Sequence, residues 1–236
     1  MNNIVIPAPE FELKLPISGE TVRYRPFLVR EERMMMILKE ATDMSTVVQN
    51  LKKIVNNCVL SELDTTNLSY TDFEYLFLNM RVRSMGESVD FNTECECCKK
   101  PTPVSVNLND LCTELENMDL PENTVMLTDD IGVMVSPLKL RDAAVATQIA
   151  EKDSVQAIMV FIEKVFTKDA VYDFAETTNK EKTSFIDSLS LKHVELIMNT
   201  INSYPKLKAE IDVSCINCGE NFKFSAEGLE NFFTSA

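Results

Sequence analysis

The amino-acid sequence predicts an α+β protein made of an internally duplicated unit, with two copies packed as one pseudo-symmetric protein. Two cysteine pairs, Cys95/Cys98 and Cys215/Cys218, each lie between segments in which apolar and polar residues alternate, as in a β-hairpin. Apolar residues at three- and four-residue steps precede the pairs and indicate helices. The order of hairpin, helices and cysteine hairpin occurs in both halves of the chain, which indicates a repeat.

Each cysteine pair has the spacing of a zinc knuckle, in which the two sulfurs of a C-x-x-C turn bind one tetrahedral metal ion. Two zinc-knuckle hairpins supply four thiolates, which complete a structural Zn2+ site at Cys95, Cys98, Cys215 and Cys218. The gap between the pairs is far longer than the usual gap of about 15–20 residues. Two copies packed about a pseudo-twofold axis would nevertheless bring the knuckles together.

Two alternatives to this four-cysteine site stay open. One is that the thiols lie at turns without binding a metal ion. The other uses Cys97 as a ligand, but the residue 120 positions later is Asn217. We therefore interpret Cys97 as a bystander.

The first copy begins with a predicted hairpin over residues 11–25, in which apolar and polar residues alternate on both sides of a turn. Pro26 precedes a helix that opens near Val29, because proline is tolerated at the start of a helix. Two further helices are predicted from apolar periodicity over residues 48–59 and 73–80.

The second half repeats this order, first at an offset of 111 residues and later at an offset of 120. The change of offset implies an insertion in the second copy, between residues 169 and 182. Chance is the alternative for any single match, but the shared order of elements favours a duplication. We predict a first copy at residues 1–112, a solvated acidic connector at 113–124 and a second copy at 125–236.

Composition and charge argue against several classes of protein. The formal net charge is −14, whereas proteins that bind nucleic acid need basic patches. No apolar run approaches the roughly 20 residues of a membrane-spanning helix, and the N-terminus lacks the pattern of a signal peptide. We expect the seven cysteines to be thiols and metal ligands in a reducing cytoplasm.

The sequence offers no catalytic set of residues. His193 is the only histidine and falls in a predicted helix. Five scattered glycines do not form a Gly-rich phosphate loop in its usual form. We predict that the protein is not an enzyme.

A cluster of arginines in the first copy predicts a partner-binding surface. Six of the seven arginines precede residue 113, and arginine suits carboxylate-rich surfaces and interface hot spots. Four of them are close in sequence, on a predicted strand and the helix after it: Arg23, Arg25, Arg30 and Arg33. The alternative is that these side chains pair internally with Glu31, Glu32 or the acidic connector.

The segments 25–32 and 74–87, together with the Cys95/Cys98 pair, resemble the baseplate hub assembly proteins and hub subunits of T-even-type myovirus phages. The resemblance covers residues 11–112 well and the second half loosely. It implies a virus-encoded protein without catalytic residues, which forms part of the central hub of a contractile-tail baseplate or acts as a chaperone in its assembly.

The resemblance also implies partners and a location. The partners would be other phage baseplate hub or tail proteins, and the protein would act in the host cytoplasm during infection and in the virion tail baseplate if it stays in the particle. The cysteines alone suggest a different function, a zinc-ribbon regulator that binds nucleic acid. Lys99 and Lys100 are the only basic pair beside a knuckle, so we favour the first function.

Overall fold

A computed structural model describes residues 6–38, 44–228 and 232 of the 236-residue chain. It confirms the α+β class, because helices alternate with small antiparallel sheets. Within the described residues, no helix is both long enough and apolar enough to cross a bilayer.

The chain forms two compact units, and the second is inserted in the first. Unit 1 comprises Met1–Thr65, Thr71–Met118 and Lys206–Ala236. Unit 2 comprises Thr66–Tyr70 and Asp119–Pro205. The C-terminal cysteine hairpin is thus grouped with the first half of the chain, whereas the copies at 1–112 and 125–236, which stay a prediction, assign it to the second half.

The described residues of unit 1 form three two-stranded hairpins and four helices. Its elements are β1 (Phe11–Lys14), β2 (Thr21–Tyr24), α1 (Val29–Leu38), α2 (Met44–Cys58), α3 (Tyr70–Met85, from Thr71), β3 (Ser88–Glu94), β4 (Pro101–Asn107), α4 (Leu108–Asn117), β9 (Lys208–Ser214) and β10 (Asn221–Glu227). Helix α3 forms the core, because Phe73, Leu76 and Phe77 are buried and so are the residues between them. Its polar residues are buried on the same helix, so α3 has no solvent face over its first two turns.

The buried carboxylate of Asp72 in α3 supports the turn between β1 and β2. The backbone N–H groups of Ile17 and Ser18 donate to Asp72 Oδ1 and Oδ2 at 2.8 and 3.0 Å. These two charge-assisted hydrogen bonds stabilise the buried carboxylate. The predicted first hairpin is therefore present, and a side chain 54 residues away holds its turn.

Unit 2 is built on a four-stranded antiparallel sheet in the order β5-β6-β7-β8. The strands are β5 (Thr124–Met126), β6 (Ile131–Val135), β7 (Ile162–Thr167) and β8 (Val171–Asp173); the helices are α5 (Ala143–Ala150), α6 (Asn179–Asp187) and α7 (Leu191–Asn202), with short 3-10 helices at Gln156–Phe161 and Phe174–Glu176. The segment Thr66–Tyr70 pairs with the residues after β6, where Ser69 forms a bridge to Lys139.

The elements at an offset of 120 residues correspond in kind and position. Helix α3 corresponds to α7, and each is followed by two seven-residue strands around a cysteine turn. The correspondence at an offset of 111 is wrong for α2, because the residues aligned with it form a 3-10 helix and strand β7. The sheet of unit 2 takes up this segment as its third strand, which a helix could not provide.

The predicted acidic connector at 113–124 is only partly extended. Helix α4 continues to Asn117 and buries Leu111, Cys112 and Leu115. Asn107 caps this helix, since its side chain accepts from the Asn109 N–H at 2.9 Å. The sequence analysis did not predict this apolar face of α4, because acidic residues lie between the apolar ones.

Gly132 in β6 lies where a larger residue cannot fit. A Cβ atom at this position would lie 2.3 Å from Phe166 Cζ and 2.9 Å from Met126 Sδ. We expect Gly132→Ala to lower the free energy of unfolding by about 1–3 kcal/mol, as overpacking does. Chemical denaturation measures the change. Adding Phe166→Leu should recover part of the loss; a double variant in which the two losses simply add would show that the contact with Phe166 is not the cause.

Candidate metal centre

The two cysteine hairpins, β3–β4 and β9–β10, each have one buried face. In β3–β4 the alternate residues Val89, Val104 and Val106 are buried and their neighbours are exposed. In β9–β10 the same alternation buries Ala209 and Val213. Each hairpin alone is a two-stranded sheet, which is marginally stable in water. Each therefore needs a partner surface for its apolar face.

Aromatic contacts join the two hairpins. Phe91 in β3 and Phe224 in β10 have ring centroids 5.1 Å apart, and the buried Phe232 contacts Phe91 edge-on at 5.9 Å. Such pairs contribute about 0.5–1.5 kcal/mol each beyond the burial of their area. The contact holds the two hairpins together below their turns, so that the turns and their cysteines meet.

The two cysteine turns have the same backbone hydrogen bonds. Cys95 N–H donates to the Lys100 carbonyl at 3.0 Å, and Cys215 N–H donates to the Glu220 carbonyl at 2.8 Å. Lys99 and Gly219 occupy the same turn position with φ values of 58° and 75°. Because a lysine adopts the left-handed conformation only at some cost, this shared geometry indicates that the turn, rather than the residue, sets the conformation.

The four predicted ligands come together at these turns. The sulfur of Cys95 lies 3.7 Å from that of Cys218, and the sulfur of Cys98 lies 3.6 Å from that of Cys215. All four sulfurs lie within 4.8 Å of one another. Sulfurs bound at about 2.3 Å to one tetrahedral zinc ion lie about 3.8 Å apart, so both the donor set and the spacing fit such an ion.

The two short sulfur–sulfur separations connect the two turns. At an offset of 120 residues Cys95 corresponds to Cys215 and Cys98 to Cys218. The two short separations join the first cysteine of one turn with the second of the other, in both directions. This is the pattern expected when two equivalent surfaces face each other across a twofold axis.

Hydrogen bonds favour a thiolate at Cys215. The Thr102 hydroxyl donates to its sulfur at 3.5 Å and the Asn217 N–H at 3.4 Å. These bonds, led by that of Thr102, lower the pKa of Cys215 to about 5. Ligand cysteines bind metal as thiolates, so the binding of a cation here would release protons from the remaining thiols.

The other three cysteines lie outside the cluster. Cys97 is exposed at the tip of the first knuckle and is not among the clustered sulfurs. Cys58 and Cys112 are buried, and burial raises the pKa of each thiol to about 12. These two are therefore unreactive packing residues.

Comparison with known proteins identifies the family. A family model described as T4 bacteriophage base plate protein matches residues 8–234, a range that contains all four clustered cysteines, the whole of unit 2 and nearly all of unit 1. The chain belongs to this family. No curated protein and no solved structure matches the chain. The match confirms the resemblance to T4-type phage baseplate proteins and extends it over the second half.

In this base plate protein one of the four arginines of the predicted partner-binding surface is buried. Arg25 is buried, and its guanidinium contacts Glu31 through both terminal nitrogens at 3.1 and 3.2 Å. It also donates to the Asn57 carbonyl at 2.7 Å. Arg25 leaves β2 as the strand ends and turns inward, so its place in an exposed patch with Arg23 was wrong and the internal alternative holds for it.

Glu31 is the centre of this buried network and was not predicted as a functional residue. Its carboxylate also accepts from the Leu28 N–H at 2.9 Å and from Arg30 Nε at 2.7 Å, which places it as the capping residue of α1. Burial raises the pKa of Glu31, but the hydrogen bonds from Arg25, Leu28 and Arg30 outweigh burial and hold it below the ordinary 4.5.

The remaining arginines lie at the surface. Arg23, Arg30 and Arg33 are exposed; Arg23 is 3.8 Å from Glu10. Helix α1 places large apolar side chains beside Arg33, since Met36 is 68% exposed and Ile37 is 72% exposed. The sequence does not predict this exposed apolar face of α1, because the exposed Met36 and the buried Met35 are adjacent residues of the same type.

His193 has a structural position in this base plate protein. Its ring Nδ1 accepts from the Ser190 N–H at 3.3 Å, and its own N–H donates to the Ser190 hydroxyl at 3.3 Å. The pair forms a reciprocal cap at the start of α7.

Because its pKa is lowered in the folded state, Glu31 contributes stability above the pKa of an unfolded glutamate, about 4.3, and loses it as the pH falls through its folded-state value. We expect Glu31→Gln to cost about 3–5 kcal/mol at pH 7, since Arg25 is left buried and unpaired. The gap in unfolding free energy between the two proteins should narrow in acid, as denaturation across a pH series would measure. Glu32→Gln, which changes the same charge, is the control; a gap that stays constant with pH would contradict this role of Glu31.

Proposed function

We propose that this base plate protein is a non-enzymatic part of the central hub of a contractile phage tail, or a factor that assembles it, and that a structural Zn2+ ion holds its fold. The match of nearly the whole chain to the base plate family supports the structural role. The four-cysteine cluster at the meeting point of two hairpins supports the metal. Such a protein acts in the host cytoplasm during assembly and, as a hub subunit, in the virion tail.

The chemistry of the cluster favours a structural rather than a catalytic ion. Four protein thiolates fill the tetrahedral positions of Zn2+ and leave none for water or substrate. Two ligands would come from β3–β4 and two from β9–β10, so the ion would link the two hairpins at their turns. An ion bound in this way contributes its binding free energy to folding.

We expect one zinc ion per chain when the protein is purified without chelator, and native mass spectrometry counts it. Cys98→Ser should lose the ion and lower the melting temperature, because three thiolates bind zinc more weakly than four. Cys97→Ser is the matched control, one residue away at the exposed tip, and should keep both the ion and the melting temperature. A metal-free chain with an unchanged melting temperature would contradict the zinc site.

The exposed face of α1 is the surface that we propose for a partner in the hub. Arg33, Met36 and Ile37 are exposed on successive turns of the same helix, and a mixture of arginine and large apolar residues is typical of interface hot spots. Arg30 adjoins this face but also binds Glu31. Arg23 lies on β2, outside the helix, and its exposed guanidinium adds a further positive charge for an acidic partner.

We expect Arg33→Glu with Ile37→Glu to abolish binding of the hub proteins that co-purify with the wild type from infected cells, without unfolding the chain, since neither side chain is buried. Lys180→Glu with Lys192→Glu, two exposed lysines of unit 2, is the control for added negative charge. Mass spectrometry of the captured proteins and thermal melting provide the two measurements. Equal capture by both variants would show that α1 is not the interface.

The charge around the knuckles argues against a zinc-ribbon regulator that binds nucleic acid. Lys99 and Lys100 are accompanied by Glu94 and Glu96, and Lys99 lies 4.0 Å from Glu94. A phosphate backbone requires a basic surface, and this tip has balanced charges on a chain of net charge −14.

A further inference from the structure

Unit 2 contains an open groove of about 790 Å³ between α5, the 3-10 helix at Gln156–Phe161, β7 and α6. The apolar side chains that line it form its floor, among them Val145 and Ile149 of α5, Met159 of this 3-10 helix, and Phe174 of the 3-10 helix after β8. Helix α5 buries none of its residues, although all but two of them are apolar. The volume lies within the usual range for ligand sites of about 300–1,000 Å³.

The groove collects positive charge in a unit that is otherwise acidic. Unit 2 has eight lysines and arginines and fourteen acidic residues, and five of the eight basic residues line the groove: Lys139, Arg141, Lys152, Lys164 and Lys182. Four acidic residues also line it, but each is engaged within the unit. Glu163 pairs with Lys139 and Asp142 with Arg141.

The other two carboxylates, Asp153 and Asp173, accept from the backbone N–H groups of Val155 and Ala175 at 2.9 Å. Lys152 and Lys164 are exposed and form no ion pair within the described part of the chain. The groove therefore combines an apolar floor with a small excess of positive charge, five basic against four acidic side chains, and Lys164 lies opposite Asp173 across β7 and β8.

One residue that lines this groove has a buried acceptor. The Gln156 amide donates from Nε2 to Asp187 Oδ1 at 2.7 Å, which fixes its orientation. Its Oε1 atom is buried and has no hydrogen-bond donor among the described residues. A buried acceptor without a donor is costly.

The acidic connector has the complementary chemistry. Its residues 118–123 are outside helix and strand, and Met118 and Leu120 are 48% and 46% exposed. The chain has no lysine or arginine between Lys100 and Lys139, and the connector carries Asp119 and Glu122. None of residues 118–123 lines the groove of its own chain.

We propose that the groove binds the connector of a second copy of this chain, with Met118 and Leu120 on the apolar floor and Asp119 and Glu122 at Lys152 and Lys164. Groove and connector are different surfaces, so the contact is head-to-tail and generates a ring or an open chain of copies. The proposal does not depend on the hub function, because the purified chain alone is sufficient to test it.

Sedimentation velocity over a range of concentrations is the test. The wild type should associate into species larger than a dimer, and added salt should weaken the association. Lys152→Glu with Lys164→Glu reverses two lysine charges in the groove, and Met118→Asp with Leu120→Asp replaces the two apolar side chains of the connector. Each double variant should sediment as a monomer, with affinity reduced at least tenfold, while Lys180→Glu with Lys192→Glu should behave as the wild type.

Mixing the two defective variants distinguishes a head-to-tail contact from other modes. One variant keeps its connector and the other keeps its groove, so an equal mixture should form a 1:1 dimer that cannot grow. A wild-type chain that stays monomeric would overturn the proposal and leave the groove to a different protein. Association that survives either double variant, or a mixture without the dimer, would overturn it as well. Melting curves of each variant confirm that it is folded.

Discussion

The packing of one cysteine hairpin against the other is the interaction on which unit 1 depends. Hairpin β3–β4 follows α3 directly, whereas β9–β10 arrives after the whole of unit 2. Their buried faces meet through Phe91 and Phe224, and their turns carry the four sulfurs to within 4.8 Å of one another. Among the residues that the structure describes, neither hairpin pairs with a third strand, so each depends on packing against other elements, and on any ion at the sulfurs, for its stability.

The fold satisfies the same kind of turn in two ways. In the second cysteine turn, the Asn217 N–H donates to the Cys215 sulfur at 3.4 Å. The β1–β2 turn has the same hydrogen bonds, with Gly19 N–H donating to the Leu15 carbonyl at 3.0 Å and a φ of 70°. It has no cysteine, and the Asp72 carboxylate accepts from its N–H groups. The Asp72 carboxylate thus accepts from this turn as the Cys215 sulfur accepts from its own turn.

The sequence predicted those features that are encoded locally. The knuckles follow from cysteine spacing and strand alternation within about twenty residues, and α3 and α7 follow from periodicity. The predictions that were wrong concern residues whose conformation depends on contacts with residues distant in sequence. Residues 162–167 join a sheet although an alignment with α2 suggested a helix, and Arg25 turns inward because Glu31 and Asn57 are there to receive it. The exposed hydrophobic face of α1 could not be predicted either, because the sequence does not distinguish an exposed methionine from a buried one.

The four clustered cysteines come from distant parts of the sequence. Residues 119–205 of unit 2 separate Cys98 from Cys215 along the chain, so an ion that bound both pairs would close a long loop in the unfolded chain. By analogy with a disulfide, closing a loop of about 100 residues removes chain entropy equivalent to about 4–5 kcal/mol. Two knuckles close together in sequence would gain less.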